Sequence, residues 1–299
     1  MKLYREIYEG LKRGKFLDVT RKLATGDEIR EFFLPKPRLI VLGGGHIALP
    51  LARFAAMTCF NVTVFDDRPA FANKDRFPEA REVICDSFAK MSERLNIEPN
   101  DYAAIITRGH RHDQDCLRQI LSGPFPRYVG MIGSRGRVGL VMRQLEEEGY
   151  SKEVIAKVHS PIGLAIGAVT PEEIALAIAA ELVACKNSGS PDGETYTDEE
   201  VICYLAYGNT SNTALVTVID VEGSTPRKAG AKMLVKEDGR LIGSIGGGCA
   251  EAEAAGLARE IIASRGVTRK VLDLSGDAED DGMVCGGYMT VLIEALEEE

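Results

Sequence analysis

Leu39-Ile40-Val41-Leu42 runs without a break into Gly43-Gly44-Gly45-His46-Ile47-Ala48. Four consecutive apolar residues suit a strand covered on both faces, and the glycines demand a tight turn before the next element. The pattern then repeats: a helix from about His46 to Met57 is followed by the apolar run Val62–Phe65. Further runs at Val83–Cys85, Ala103–Ile106 and Tyr128–Ile132 are each followed by helical patterning. Strands that alternate with helices return in the same direction, so this stretch predicts a parallel sheet with helices on both faces.

The first turn fits G-x-G-x-x-A, the arrangement of a Rossmann-like dinucleotide site. Gly43 permits the tight turn, Gly45 lets a pyrophosphate approach the backbone, and Ala48 keeps the helix close to the sheet. The second strand ends at Asp66, near the spacing expected of a carboxylate that accepts from ribose hydroxyls, which favours an unphosphorylated ribose, with Asp67 and Arg68 beside it. His46 stands where it would touch a phosphate or face solvent. The same glycines also suit a tight turn that binds nothing.

Ligands of open parallel sheets sit at the carboxyl ends of the strands. Two more turns belong there. Thr107-Arg108-Gly109-His110-Arg111-His112-Asp113-Gln114-Asp115 offers Arg108, His110 and His112 for an anion or substrate. Metal binding is not expected, because two imidazoles lack a third ligand and two arginines oppose a cation. Asp113 or Asp115 would instead cap the next helix. In Gly130-Met131-Ile132-Gly133-Ser134-Arg135, Ser134 is placed to cap a helix and Arg135 to pair with an anion at its start. Ser160-Pro161 is a candidate for a cis bond.

A chain of 299 residues has room for about two cores. Residues 2–14 carry a helical stripe of Leu3, Ile7 and Leu11, so residues 1–34 read as an amino-terminal helical arm. Residues 35–186 form the Rossmann-like domain, closing with a helix that starts at Thr170-Pro171-Glu172-Glu173. The tract NSGSPDGETYTD marks a linker, assigned to 187–207, and 208–299 form a second domain. There the strands Ala214–Val221, Met233–Val235, Leu241–Ile245, Val271–Leu274 and Met289–Ile293 accompany a helix over about Ala250 to Ala263. The fold class is α/β: a Rossmann-like parallel-sheet domain followed by a smaller α+β domain.

A net charge of -9 argues against nucleic acid or an anionic membrane as partner. The longest apolar stretch, around Ile162 to Val183, is broken by Pro171, Glu172, Glu173 and Glu181, so no membrane span is expected. Seven cysteines with no CxxC pair and no signal peptide read as a reduced, cytoplasmic protein. Cys59, Cys85, Cys116, Cys185 and Cys203 are taken as small core residues.

Three glycine-rich segments mark the second domain: Glu222-Gly223-Ser224-Thr225-Pro226-Arg227-Lys228-Ala229-Gly230-Ala231-Lys232, Gly243-Ser244-Ile245-Gly246-Gly247-Gly248-Cys249-Ala250-Glu251 and Gly282-Met283-Val284-Cys285-Gly286-Gly287. Backbone N–H groups in such loops, Gly247 and Gly248 among them, form nests for anions, and Arg227, Lys228 and Lys232 add positive charge. Cys249 falls at a helix start, which favours the thiolate, and Cys285 lies between glycines that leave a thiol accessible.

Together these strings resemble the XdhC/CoxI family, accessory proteins of xanthine dehydrogenase and related molybdenum hydroxylases. EGSTPRKAGAKM, GSIGGGCAEAE and MVCGG look like its smaller domain; LGGGHIA, FDDRPAFANKDRFPEA, TRGHRHD, GMIGSR and PIGLAIGAVTPEEIA look like its Rossmann domain. The family places the cysteine domain first, and the order here is reversed, although the amino-terminal helix resembles the family's usual start. The resemblance implies a protein that holds molybdenum cofactor (molybdopterin) as cargo and assists its sulfuration by a cysteine desulfurase. It would then deliver the cofactor to an apo molybdenum hydroxylase, acting as a homodimer with Cys249 and Cys285 as the working thiols. NAD(P) or another nucleotide remains a candidate ligand. The rival readings are an NAD(P)-dependent oxidoreductase with His110 or His112 as acid and base, and a regulatory nucleotide-binding module.

Overall fold

The computed structural model describes residues 2–23, 25–188, 197–274 and 286–296, without the side chains of His110, Arg135 and Arg137. Cys285 and most of its glycine segment therefore lie outside the described residues, as does the tract 189–196. Two compact units divide the chain: one over 37–189, the other built from both ends, 1–36 and 190–299.

The chain opens with α1 (Lys2–Lys12), then an antiparallel hairpin of β1 (Leu17–Lys22) and β2 (Glu28–Phe33). The parallel-sheet unit follows as β3 (Arg38–Leu42), α2 (Ala48–Met57), β4 (Asn61–Asp66), β5 (Glu82–Cys85), α3 (Met91–Arg94), β6 (Tyr102–Ile105), α4 (His110–Leu121), β7 (Tyr128–Met131), α5 (Arg135–Glu147), α6 (Lys152–Ile155), β8 (Val158–His159) and α7 (Pro171–Asn187). The remainder is α8 (Glu199–Tyr207), β9 (Thr213–Glu222), β10 (Lys232–Lys236), β11 (Leu241–Gly243), α9 (Gly248–Ser264), β12 (Val267–Asp273) and β13 (Tyr288–Ala295).

The six parallel strands run in the order β5-β4-β3-β6-β7-β8, so the sheet winds outward in both directions from β3 and β6. Alternate residues of one strand feed opposite cores. Leu39 and Val41 pack with α2 and α7, whereas Ile40 and Leu42 pack with α4 and α5. The connection from β4 to β5 is a turn-rich loop, and its Phe77 is fully buried. Thr170 starts α7 with a complete capping box to Glu173 and Pro171 in the first turn. The Ser160–Pro161 bond is cis.

In the other unit the antiparallel order is β11-β10-β9-β13-β12. Val216, Met233, Val291 and Ile293 face α9 through Ala250, Ala254 and Ala258. On the opposite face Leu215 and Leu234 pack with Ile7, Leu11 and Phe33 from the amino terminus and with Val201, Ile202 and Leu205 of α8. Two boundaries therefore differ from the sequence assignment. Residues 2–33 are one face of this unit's core rather than a free arm, and 199–207, counted with the linker, are a buried helix capped by Asp198. The hairpin escapes sequence reading because charged residues fill its outward positions and its alternation buries little, in the pattern ieieie on β1.

Candidate functional site

In the parallel-sheet unit the strand order reverses between β3 and β6, and the turns after these strands flank the crevice where ligands of such sheets bind. The two turns touch: a Cβ on Gly43, whose φ is +113°, would lie 2.5 Å from the carbonyl oxygen of Ile106. Gly44 is equally confined, its position for a Cβ 2.1 Å from the Phe71 oxygen, so the loop after β4 lies over the glycine turn. Gly45 faces open space. Of the three glycines it is the one whose surroundings admit a ligand.

Asp66 ends β4 where the spacing puts it, but it is buried and its oxygens are engaged. Gly44 N donates to Oδ2 at 2.8 Å, Arg68 N donates to Oδ1 at 3.0 Å, and the Arg68 guanidinium closes a fork with Nε on Oδ1 and Nη2 on Oδ2 at 2.8 and 2.9 Å. Arg108 makes a second fork, to Asp67, and this pair holds the Asp67 carboxyl below the ordinary carboxylate range. Arg76 reaches back to the carbonyls of Gly44 and Gly45 at 3.2 and 3.3 Å, and Arg68 lies 3.8 Å above the Phe71 ring. Arg68 and Arg76 belong to no glycine motif. The signal for them is their place in the segment that follows the strand-ending acid.

Asp113 accepts from both Thr107 N and Thr107 Oγ1, tying the turn after β6 to the start of α4. Half-buried His112 packs on Phe88 with ring centroids 5.1 Å apart, while His46 is exposed beside the glycine turn. Ser134 is the N-cap of α5 by backbone geometry, but its hydroxyl makes no capping bond. Among the described residues no cluster of His, Cys, Asp and Glu is arranged to hold a metal.

In the other unit the glycine segments do meet. Gly246, at φ +133°, presses on Pro226, since a Cβ there would fall 2.4 Å from its Cγ, and Gly223 packs against the backbone of Gly286 and Gly287. Cys249 is exposed in the first turn of α9, next to exposed Gly248. Arg227 Nε is buried with no hydrogen-bond partner among the described residues, and Lys228 is exposed.

Two expected anion donors are already committed within the chain. Lys232 is 4% exposed, and its Nζ donates to Glu31 of the hairpin, which also accepts from Arg21. The Gly247 N–H is turned inward to Glu251 Oε2 at 3.1 Å, the same oxygen that accepts from Ile245 N at 3.1 Å and Ser244 Oγ at 2.6 Å. Burial opposes ionisation of Glu251, but these donors outweigh it and hold its carboxyl below the ordinary range. The nest expected to receive an external anion thus already holds an internal one. Of the cysteines taken as core residues, Cys116 is buried and its thiol pushed far up, Cys185 and Cys203 are half-buried, and Cys59 and Cys85 are exposed. Cys59 sits in a left-handed turn after α2 and Cys85 ends the edge strand β5, neither of which covers the sulfur.

No helix among the described residues is long and apolar enough to cross a membrane. A Bacillus subtilis protein named as a probable xanthine dehydrogenase subunit is 36% identical over 149 residues, 50% of this chain and 43% of that protein. The molybdenum cofactor insertion chaperone PaoD of Escherichia coli is 40% identical over 83 residues, 27% of this chain and 26% of PaoD. The matches thus span less than half the length of these curated relatives. A crystal structure described as a xanthine dehydrogenase from Bacillus halodurans superposes with a TM-score of 0.55 at 28% identity, covering 63% of this chain and 65% of that one. Residues 39–182 match the family model for the XdhC Rossmann domain and residues 209–273 that of the XdhC and CoxI family, so each of these two segments is similar to proteins of that family.

Proposed function

We propose that the chain is an accessory protein that holds molybdenum cofactor and assists its sulfuration and insertion into a xanthine dehydrogenase-type hydroxylase. The observation that carries this reading is the exposed Cys249 thiol at the start of α9, on a glycine turn braced by the loop of Arg227 and Lys228. The donor set fits such a cargo. A soft sulfur suits the molybdenum or sulfur end, and the buried Nε of Arg227, which has no partner among the described residues, with Lys228 beside it suits the pterin phosphate. The names of PaoD and of the Bacillus relatives support the same reading. In it the parallel-sheet unit binds a nucleotide at Gly45 and the arginines around Asp66, and a cysteine desulfurase and an apo-hydroxylase are the partners.

The test is cofactor retention. Purified protein is loaded with molybdenum cofactor, desalted, and assayed for molybdenum by mass spectrometry and for pterin by fluorescence after oxidation. Wild-type protein retains both in equal amounts. Cys249→Ser retains several-fold less while its unfolding free energy changes by about 0.5 kcal/mol or less, as expected of an exposed site. Equal retention by wild type and variant overturns the role of Cys249, and no retention by wild type overturns the reading.

A further inference from the structure

The strand-ending carboxylate of a dinucleotide site normally accepts from the ribose hydroxyls, and an arginine in its place accommodates a 2′-phosphate. Here the acid is present but occupied. A carboxylate offers about four acceptor positions, and Asp66 uses them on Gly44 N, Arg68 N, Arg68 Nε and Arg68 Nη2. It is also 1% exposed, so a ribose diol meets no free lone pair there. Displacing Arg68 would exchange two bonds between opposite charges for two donated by neutral hydroxyls, a losing trade in a buried setting.

Arg68 is the group left facing out. Its side chain is 31% exposed, its plane is held by the Phe71 ring on one side and the Asp66 fork at one edge, and Nη1 makes no hydrogen bond among the described residues. Arg108 and Arg76 stand by, the first on Asp67 and the second on the glycine turn. Arg68, Arg76 and Arg108 thus gather around Asp66 and Asp67, and the outer edge of Arg68 is left without a carboxylate.

We propose that this site takes a ribose 2′-phosphate, so that it binds a dinucleotide of the NADP class in preference to the NAD class, with Arg68 as the residue that distinguishes them. This inference rests on the reading of the parallel-sheet unit as a nucleotide site. Asp66 then acts as a positioning residue. It orients the guanidinium and pins the glycine turn through Gly44 N, and the phosphate meets the outer edge of Arg68 with Gly45 open beneath the pyrophosphate.

Calorimetry on the full chain with NADP and with NAD tests it. Wild-type protein should bind NADP at least tenfold more tightly than NAD, and Gly45→Val should weaken both. Arg68→Gln should remove the preference and strengthen NAD, because Asp66 is released to the ribose diol. A merely structural role for Arg68 would not produce that gain. Arg68→Lys keeps the charge without the fork and should retain part of the preference; it serves if the glutamine variant fails to fold. NAD bound as tightly as NADP by wild type, or a preference untouched by both Arg68 variants, overturns the inference and leaves a nucleotide site standing. Binding of neither dinucleotide by wild type overturns both.

Discussion

Lys232 shows how far a residue's role depends on what lies across the core from it. In sequence it is the third cation of a glycine-rich loop; in the fold it is the inner end of a buried pair with Glu31, beside the Arg21 fork to Glu294. Lys232→Met should therefore cost about 3 kcal/mol of stability by stranding part of the Glu31 charge, and Lys232→Met with Glu31→Leu should recover most of it in thermal melts. The double variant should retain molybdenum cofactor as the wild type does. Burial works against the Glu31 charge, yet Lys232 and Arg21 prevail and its folded carboxyl titrates below the ordinary value. The stability it contributes is accordingly complete above the unfolded carboxylate value of about 4.3 and is lost as pH falls from there through the lower folded value. Melting temperature followed from pH 7 to pH 3 should drop more steeply for the wild type than for the double variant. Nothing in the residues around position 232 signals this, because Glu31 is 201 positions away.

At the scale of elements, the turn that begins α9 combines left-handed glycines with a carboxylate from the helix's own first turn. Gly246, Gly247 and Gly248 all have positive φ, and Glu251 gathers Ile245 N, Gly247 N and Ser244 Oγ onto one oxygen. Glu251→Ala should release these donors at a cost of about 1 kcal/mol. Hydrogen exchange at the Ile245 and Gly247 amides should quicken at least tenfold, with β12 and β13 amides unchanged, and an unchanged Gly247 amide would show that the carboxylate does not hold the turn. The glycines, the cysteine and the helix were all legible in the string GGGCAEAE, as were Pro171 and the capping box of α7. Which way the N–H groups point was not, since that depends on the backbone angles of three consecutive glycines. The same distinction applies at Asp66, whose position the strand pattern gives but whose partners, Gly44 N of the preceding turn and the Arg68 guanidinium, depend on how the two turns meet.

For the whole molecule, the consequence of a unit built from both ends is a testable asymmetry. Residues 37–188 hold both cores of the parallel sheet and should fold alone, with one cooperative melt. Removing residues 1–33 from the full chain should leave that melt in place. It should also expose Leu215, Leu234, Val201 and Leu205, seen as loss of the second transition and binding of a hydrophobic dye. A truncated chain that keeps both transitions would show that α1 and the hairpin only decorate the second unit. By itself the sequence determined the parallel strand-and-helix alternation, the glycine turns, the acid at the end of β4 and the family resemblance, because each is written in neighbouring residues through periodicity, turn chemistry or motif. Only the tertiary structure decided that the amino terminus completes the second core, that Glu31 takes Lys232, that Glu251 fills its own nest and that Arg68 covers Asp66. Buried charges must find partners: Glu31 finds Lys232 from 201 positions away, whereas Asp66 finds Arg68 and Glu251 finds Gly247 N within a few residues once the backbone of their turns aims the donors inward.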